Sequence, residues 1–411
     1  MLLLNKFKNI FPYALPALLL FSRSLADLSV ILLSILFLLK SFIEKDFTWL
    51  KLSWVKATIF FLIYLIFINS LFSLNKLDSL FYSLTFLRWP LFAIALAYWI
   101  FLDVNSLKKF YISLLLTLMF FLINIWYQFI VDADGFFGFS SNVFEGRLSV
   151  PFSNNVIPGR FILLFSFILV LLNFFFNTIK QKAKLNFLIF IIIFIGFISV
   201  FITGERMVFL IYLSSIFILF IIITIDTKNY FLFFSFISFL IIVLTFFYYY
   251  EPLTFQRTIS STINKIPNLF STDYGEVFIT SYKKWMNNFF IGGGLHQYKY
   301  IEPIYGFSIW KNTPIYHAHN LPLNLLVETG LIGLLLYYQI IIKIIVFTFK
   351  KINFKKSLIL ITLSIILIYI NFFPLHTHFK LSHNWINASA WFAVGIILSI
   401  SKIYEQNNSS K

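Results

Sequence analysis

His317-Ala318-His319-Asn320 stands at the mouth of an apolar run that continues to about Phe349. Lipid-facing helices do not open on two histidines and then carry a carboxylate, Glu328, two turns in. An ionisable side chain at membrane depth costs about 2.5–3.5 kcal/mol to insert, so it marks a functional position by default. Histidine titrates near neutral pH and can take a proton from a hydroxyl, which makes His319 the candidate general base. The competing readings are an ordinary histidine at a helix start, or zinc held by two His-x-His pairs, His317/His319 and His376/His378, with His383 nearby. Neither pair has a carboxylate in its motif, so no metal is expected. His296 has no distinguishing context.

The arginines form the second chemical set. The chain has six, Arg23, Arg88, Arg147, Arg160, Arg206 and Arg257. In a lysine-biased sequence, arginine is expected where a planar, permanently charged, bidentate donor is required. Arg147, Arg160 and Arg206 fall at the outer ends of helices in the topology described below. Together they could neutralise a diphosphate near the outer leaflet surface, as a polyprenyl-diphosphate sugar presents it. Cleavage of the sugar–phosphate bond develops negative charge on the leaving diphosphate, and fixed guanidinium groups stabilise that charge. No Asp-x-Asp pair stands near Arg23 and Asp27, which favours a mechanism without metal or other cofactor. Snorkelling at helix ends is the competing reading, above all for Arg23 and Arg257.

The elements that must position these residues are membrane helices. Of 411 residues 60% are hydrophobic, with a mean hydropathy of +0.89, and apolar runs of membrane-spanning length follow one another. The expectation is an all-α polytopic membrane protein, one integral membrane domain over 1–411. About twelve spans are expected, near 10–22, 25–42, 54–74, 80–101, 108–130, 157–176, 186–203, 207–225, 230–250, 321–349, 357–373 and 385–401. Lys6 and Lys8 precede an apolar run without a small-residue cleavage site, so the first helix reads as uncleaved. The absence of cysteine excludes disulfides and thiolate chemistry. The 57 phenylalanines read as compositional bias rather than an aromatic site.

The net charge of +16 is topological and does not signal nucleic acid. With the N-terminus inside, 19 lysines and no arginine fall on the inner side, against six basic residues in the short outer loops and outer helix ends. Two outer loops are expected, about 131–156 and about 251–320. The first carries Asp132, Asp134, Glu145 and Arg147, then Pro151-Phe152-Ser153-Asn154-Asn155. The second should contain a helix near 273–289, with Tyr274, Phe278, Tyr282, Trp285 and Phe289 at helical spacing and Lys283, Lys284 and Asn288 on its polar side. A loop of that length is usually functional, the alternative being a passive lid. Arg88 and Glu328 both fall roughly 10–12 Å below the outer surface at 1.5 Å per residue. They are expected to line one interior cavity, paired directly or through water.

The spacing His319-Asn320, nine residues, then Gly330-x-x-Gly333 resembles the signature of the O-antigen ligase and polymerase superfamily. Gly204-Glu205-Arg206 resembles the family's essential arginine, and Arg147 before Pro151 and Asn154-Asn155 resembles its Arg…Pro-Asn region. Trp285 with Gly292 and Gly294, Asn384-Trp385, and Trp391-Phe392 extend the likeness over roughly residues 140–400. Asn154-Asn155 is displaced from the proline, and no Gly-Thr-Thr-like ending follows Gly333. The resemblance implies a GT-C-like membrane glycosyltransferase of the bacterial inner membrane, active on the periplasmic side. It implies metal-independent, inverting transfer from a polyprenyl-diphosphate glycan. It makes His319 the base and Arg206 the essential, catalytic arginine, with Arg147, Asn320, Gly330 and Gly333 in the matching motifs; the residue reading adds Arg160 to Arg147 and Arg206 on the diphosphate, and Glu328 and Arg88 in support. The acceptor is the lipid A–core in a ligase and another lipid-linked repeat in a polymerase. A transporter or flippase of lipid-linked anions is the alternative of a different class. It would bring internal repeats, and none are seen.

Overall fold

The computed structural model describes residues 2–131, 147–149, 152, 157–179, 187–304, 315–353, 357–374 and 380–409. Among them every regular element is helical. The chain runs α1 (Leu2–Phe21), α2 (Arg23–Glu44), α3 (Ser53–Tyr64), α4 (Lys76–Phe86), α5 (Arg88–Ala95), α6 (Val104–Val131), α7 (Pro158–Ile179) and α8 (Phe187–Ile202). It continues as α9 (Arg206–Thr227), α10 (Tyr230–Tyr250), α11 (Pro252–Phe255), α12 (Ser261–Lys265), α13 (Asp273–Asn287), α14 (Leu321–Lys351), α15 (Leu358–Phe372) and α16 (Asn384–Ser409). Among the described residues eight helical segments are long and apolar enough to cross a membrane: α2, α4 with α5 and the turn to Ile100, α6, α7, α9, α10, α14 and α16. Four shorter apolar stretches stand at Phe7–Phe21, Ser53–Asn69, Leu188–Ile202 and Leu358–Phe372. The chain is a multi-pass membrane protein.

Helices apolar on every side divide by what surrounds them. α16 packs against α1, α2, α5, α7, α14 and α15 and lies at the centre of the bundle. The described part of α7 is buried from Pro158 to Phe175. α10 buries only Phe236, Val243 and Phe247, so its apolar surface is left for lipid. Small polar residues join the interior by bonding back to their own helices, as Ser364 does to Leu360 O (2.9 Å) and Ser399 to Gly395 O (2.7 Å).

Two breaks in regular helix aim side chains at the site. α3 ends in a π turn, Leu65–Asn69, which turns Asn69 inward to 0% exposure. Such turns are frequent at functional sites. α14 is interrupted at Gly330, whose φ of 67° and ψ of −174° are not helical. Between α10 and α14 the expected outer segment contains α11, a π turn over Gln256–Ser260, α12 and α13, so it is built of short helices. α13 carries its polar residues inward: Glu276, Thr280, Ser281 and Lys284 are buried, while Ile279, Tyr282 and Met286 are exposed. This corrects the expected polar face. Lys283 and Asn288 are exposed, but Lys284 is fully buried and donates to Tyr298 O at 2.8 Å.

Candidate active site

Asn320 starts α14. Its side chain accepts from Leu323 N at 2.9 Å and so satisfies one of the free N–H groups of the first turn. The residue before it, His319, sits in left-handed backbone with φ 49°, which costs a non-glycine residue about 1–2 kcal/mol. The conformation is held from both sides. Ala318 N donates to Asn324 Oδ1 (3.4 Å), and Leu321 N donates to Pro374 O (3.1 Å). The His-Asn pair is thus a histidine turned out of the helix and an asparagine that closes the helix behind it. The His317 ring centroid lies 3.9 Å from that of His319, and the Tyr274 ring approaches edge-on at 6.0 Å.

His319 lines two adjoining cavities. The first, about 330 Å³, is walled by Arg147, Arg206, Arg257 and Lys265, with Glu205, Asp273 and Tyr274. The second, about 260 Å³, is lined by Leu210, Ile266, Leu269 and Phe278. Arg206, Met207, Lys265, Tyr274 and His319 belong to both. Four half-buried cations around one cavity repel one another. Burial first, then the charges of Arg147 and Arg206, push the Arg257 guanidinium down to about 10. Arg257 is tied to the α8–α9 turn by Nε donating to Gly204 O at 3.3 Å. Leu148 N bonds Thr203 O (3.3 Å) in the same turn, which brings Arg147 alongside Arg206.

Glycines join the segment before α14 to α14 itself. At Gly330 the helix breaks, and the N–H groups of Leu331 and Ile332 donate to Phe289 O (3.0 Å) and Phe290 O (3.2 Å). A Cβ on Gly330 would lie 2.2 Å from Phe290 O, and one on Gly292 would lie 2.5 Å from Gly330 N. Gly293 N and Gly294 N return to Val327 O and Glu328 O, each at 2.9 Å. The carbonyls at the joint are taken up by α3. Tyr64 Oη donates to Thr329 O (2.7 Å), and Asn69 Nδ2 donates to Ile291 O (2.8 Å) and Glu328 O (2.9 Å). Gly333 leaves room for Thr329 and the Tyr64 ring, which a Cβ there would meet at 2.3 Å and 3.1 Å.

The cavity thus gathers His319, Arg206 and Arg147, with Asn320, Gly330 and Gly333 in the frame that presents them. It adds Arg257, Lys265, Glu205 and Tyr274, which the sequence reading did not assign to the site. Arg160 departs from the expected trio. It is 2% exposed in the first turn of α7 and is not part of the cavity wall. Arg88 and Glu328 do not pair. Arg88 donates to Asn384 Oδ1 (2.8 Å), lies 3.4 Å from Asp27 and stacks on Trp89. Glu328 accepts from Asn324 and from the backbone N–H groups of His296 and Tyr298, so its carboxylate pins the segment before α14 to that helix. A nearer partner outcompeted the expected one in each case. Of the second histidine group, His376 and His378 lie outside the described residues, as do Asp132, Asp134, Glu145, Pro151 and Asn154-Asn155. His383 is held neutral, pushed down to about 4 by burial and then by Lys380, Arg160 and Arg23. Among the described residues no three His, Asp or Glu gather as a metal site would require.

Residues 189–338 match the family model described as O-antigen ligase. The chain carries an O-antigen ligase family domain. That domain contains Arg206, Arg257, Lys265, Tyr274, His319, Gly330 and Gly333, so it holds most of the cavity wall, while Arg147 is brought to it from outside. The match supports a glycosyltransferase-like membrane enzyme of the O-antigen ligase and polymerase family, and that family implies lipid-linked glycan substrates. No curated protein matches it.

Proposed function

We propose that this protein is an O-antigen ligase. It transfers a glycan from a polyprenyl-diphosphate carrier to a hydroxyl of the lipid A–core, on the periplasmic face of the bacterial inner membrane. The observation that carries this reading is the shared wall of the two cavities. A charged chamber suited to a diphosphate opens beside an apolar chamber suited to a prenyl chain, and His319 stands where they meet.

In this reading the diphosphate lies among Arg147, Arg206, Arg257 and Lys265. His319 removes the proton from the acceptor hydroxyl as its oxygen attacks the anomeric carbon. The bond from that carbon to the diphosphate oxygen breaks, and its electron pair leaves with the diphosphate. Attack from the side opposite the leaving group inverts the anomeric centre. The guanidinium groups are already in place when the charge develops, so no reorganisation is needed at that moment. Left-handed backbone at His319 and the Asn320 cap keep the imidazole at the chamber mouth. Because the charge is met by side chains, chelators are expected to leave the activity unchanged.

Deleting the gene and analysing the cell's glycans tests the assignment. A ligase leaves long chains stranded on the lipid carrier. Single repeats capped on the core would instead make the protein a polymerase.

A further inference from the structure

Glu205 is the one carboxylate in the wall of the charged cavity that is buried, at 4% exposure; Asp273, also in the wall, is exposed. It precedes α9, between Gly204 and Arg206, and its Oε1 accepts from Gly159 N at 2.5 Å. The seat is built for it: a Cβ on Gly159 would come within 3.0 Å of Oε1 and 2.8 Å of the Thr203 hydroxyl oxygen. Around it stand Arg160 and Gly159 of α7, Arg147 from the preceding segment and Arg206 of α9. Arg257 and Lys265 from the 251–272 segment, Asp273 and Tyr274 of α13, and His319 complete the wall. A fixed negative charge here would oppose an anionic ligand and hold Arg147 to itself.

We propose that Glu205 is a member of the diphosphate site in its neutral, protonated form, so that donor binding requires the carboxyl to keep its proton. This rests on the diphosphate reading of the cavity. Protonated, Glu205 adds no negative charge and leaves Arg147 to the ligand. Ionised, it pairs with the cations that the ligand needs. Burial, outweighing the Gly159 N–H and the charges of Arg147 and Arg160, pushes this carboxyl up to about 8. Below that pH it is neutral and the site is open to an anion; above it the carboxylate forms and affinity falls as pH rises. One pH unit above the midpoint, a ligand that binds only the protonated form is weakened about tenfold.

The test uses the full chain in detergent with farnesyl diphosphate as probe, followed by calorimetry from pH 7 to pH 9. We expect about tenfold weaker binding by the native chain at pH 9 and no such loss in Glu205→Gln, which mimics the protonated acid. Glu205→Gln depends on correct folding, so the native chain is also titrated at pH 8.5 in two buffers of different ionisation enthalpy. Net uptake approaching one proton per ligand is expected. Native binding that is flat over this range, an equal decline in Glu205→Gln, or binding without proton uptake overturns the inference about Glu205. A native chain that fails to bind the probe at every pH instead removes the diphosphate reading, and this inference with it.

Discussion

At the residue scale the proposed reading divides the work of the site between one base, His319, and the cations around it. His319→Ala should abolish glycan transfer while expression and membrane insertion stay at native level, because the ring faces a chamber and is not core packing. Activity assay and membrane fractionation together check this. His317→Ala should cost less, and equal loss at both would revive paired metal ligation. Arg206→Lys and Arg147→Lys keep the charge but lose the planar fork, so both should stay strongly impaired in transfer assays. Full activity with lysine would reduce them to point charges. His319 and Arg206 stand out in the sequence because each breaks a local pattern, a histidine at a helix mouth and an arginine in a lysine-rich chain. Arg257 and Lys265 break none, and reach the cavity only through the folding of the 251–272 segment. Glu205 was hidden by its neighbour: a carboxylate beside an arginine reads as an exposed ion pair, and burial makes it otherwise.

At the element scale the start of α14 is tied by a joint to the segment before it. Gly330 has positive φ and an incoming Cβ would sit 2.2 Å from Phe290 O. Gly330→Ala should therefore destabilise the chain by roughly 1–3 kcal/mol from backbone strain alone, and disturb the His319-Asn320 start of α14 as well. Thermal unfolding of the detergent-solubilised protein should show a lower midpoint, and transfer should be lost although every cation is intact. Native stability and turnover in that variant would mean the joint is not required. Tyr64→Phe removes the hydroxyl that bonds Thr329 O and Ile291 O at the same joint and should cost about 1 kcal/mol by the same measurement. The Gly-x-x-Gly spacing is visible in the sequence, but its reason is not. The contacts come from Phe290, Gly292 and Tyr64, the last of which is 265 positions from the carbonyl it caps. Arg88 was misassigned for the same reason, since Asn384 is 296 positions away.

At the scale of the whole molecule, hydropathy was enough to find the helices, because backbone polar groups in lipid must be satisfied within the segment. Each of the expected spans coincides with a helix, though four of those helices are short. Which helix is central could not be read this way, since apolar faces toward lipid and toward protein look alike in composition. α16 and α10 are both apolar, yet one is buried and the other bare. Lysine placement predicts that Lys51 and Lys350 face the cytoplasm while Lys283 and Asn288 face outward. The chain has no cysteine, so single cysteines at these four exposed positions can be labelled with an impermeant maleimide. Intact cells should label positions 283 and 288 only; labelling of 51 or 350 would invert the topology.

The most direct measurement of the central claim follows one turnover by the purified chain given a polyprenyl-diphosphate-linked glycan and a lipid A–core acceptor. The native protein should release polyprenyl diphosphate and yield glycosylated acceptor in equal amounts. His319→Ala should bind the donor with native affinity and release nothing, while Arg206→Ala should fail to bind it. Turnover by His319→Ala, or undiminished donor binding by Arg206→Ala, would contradict the account.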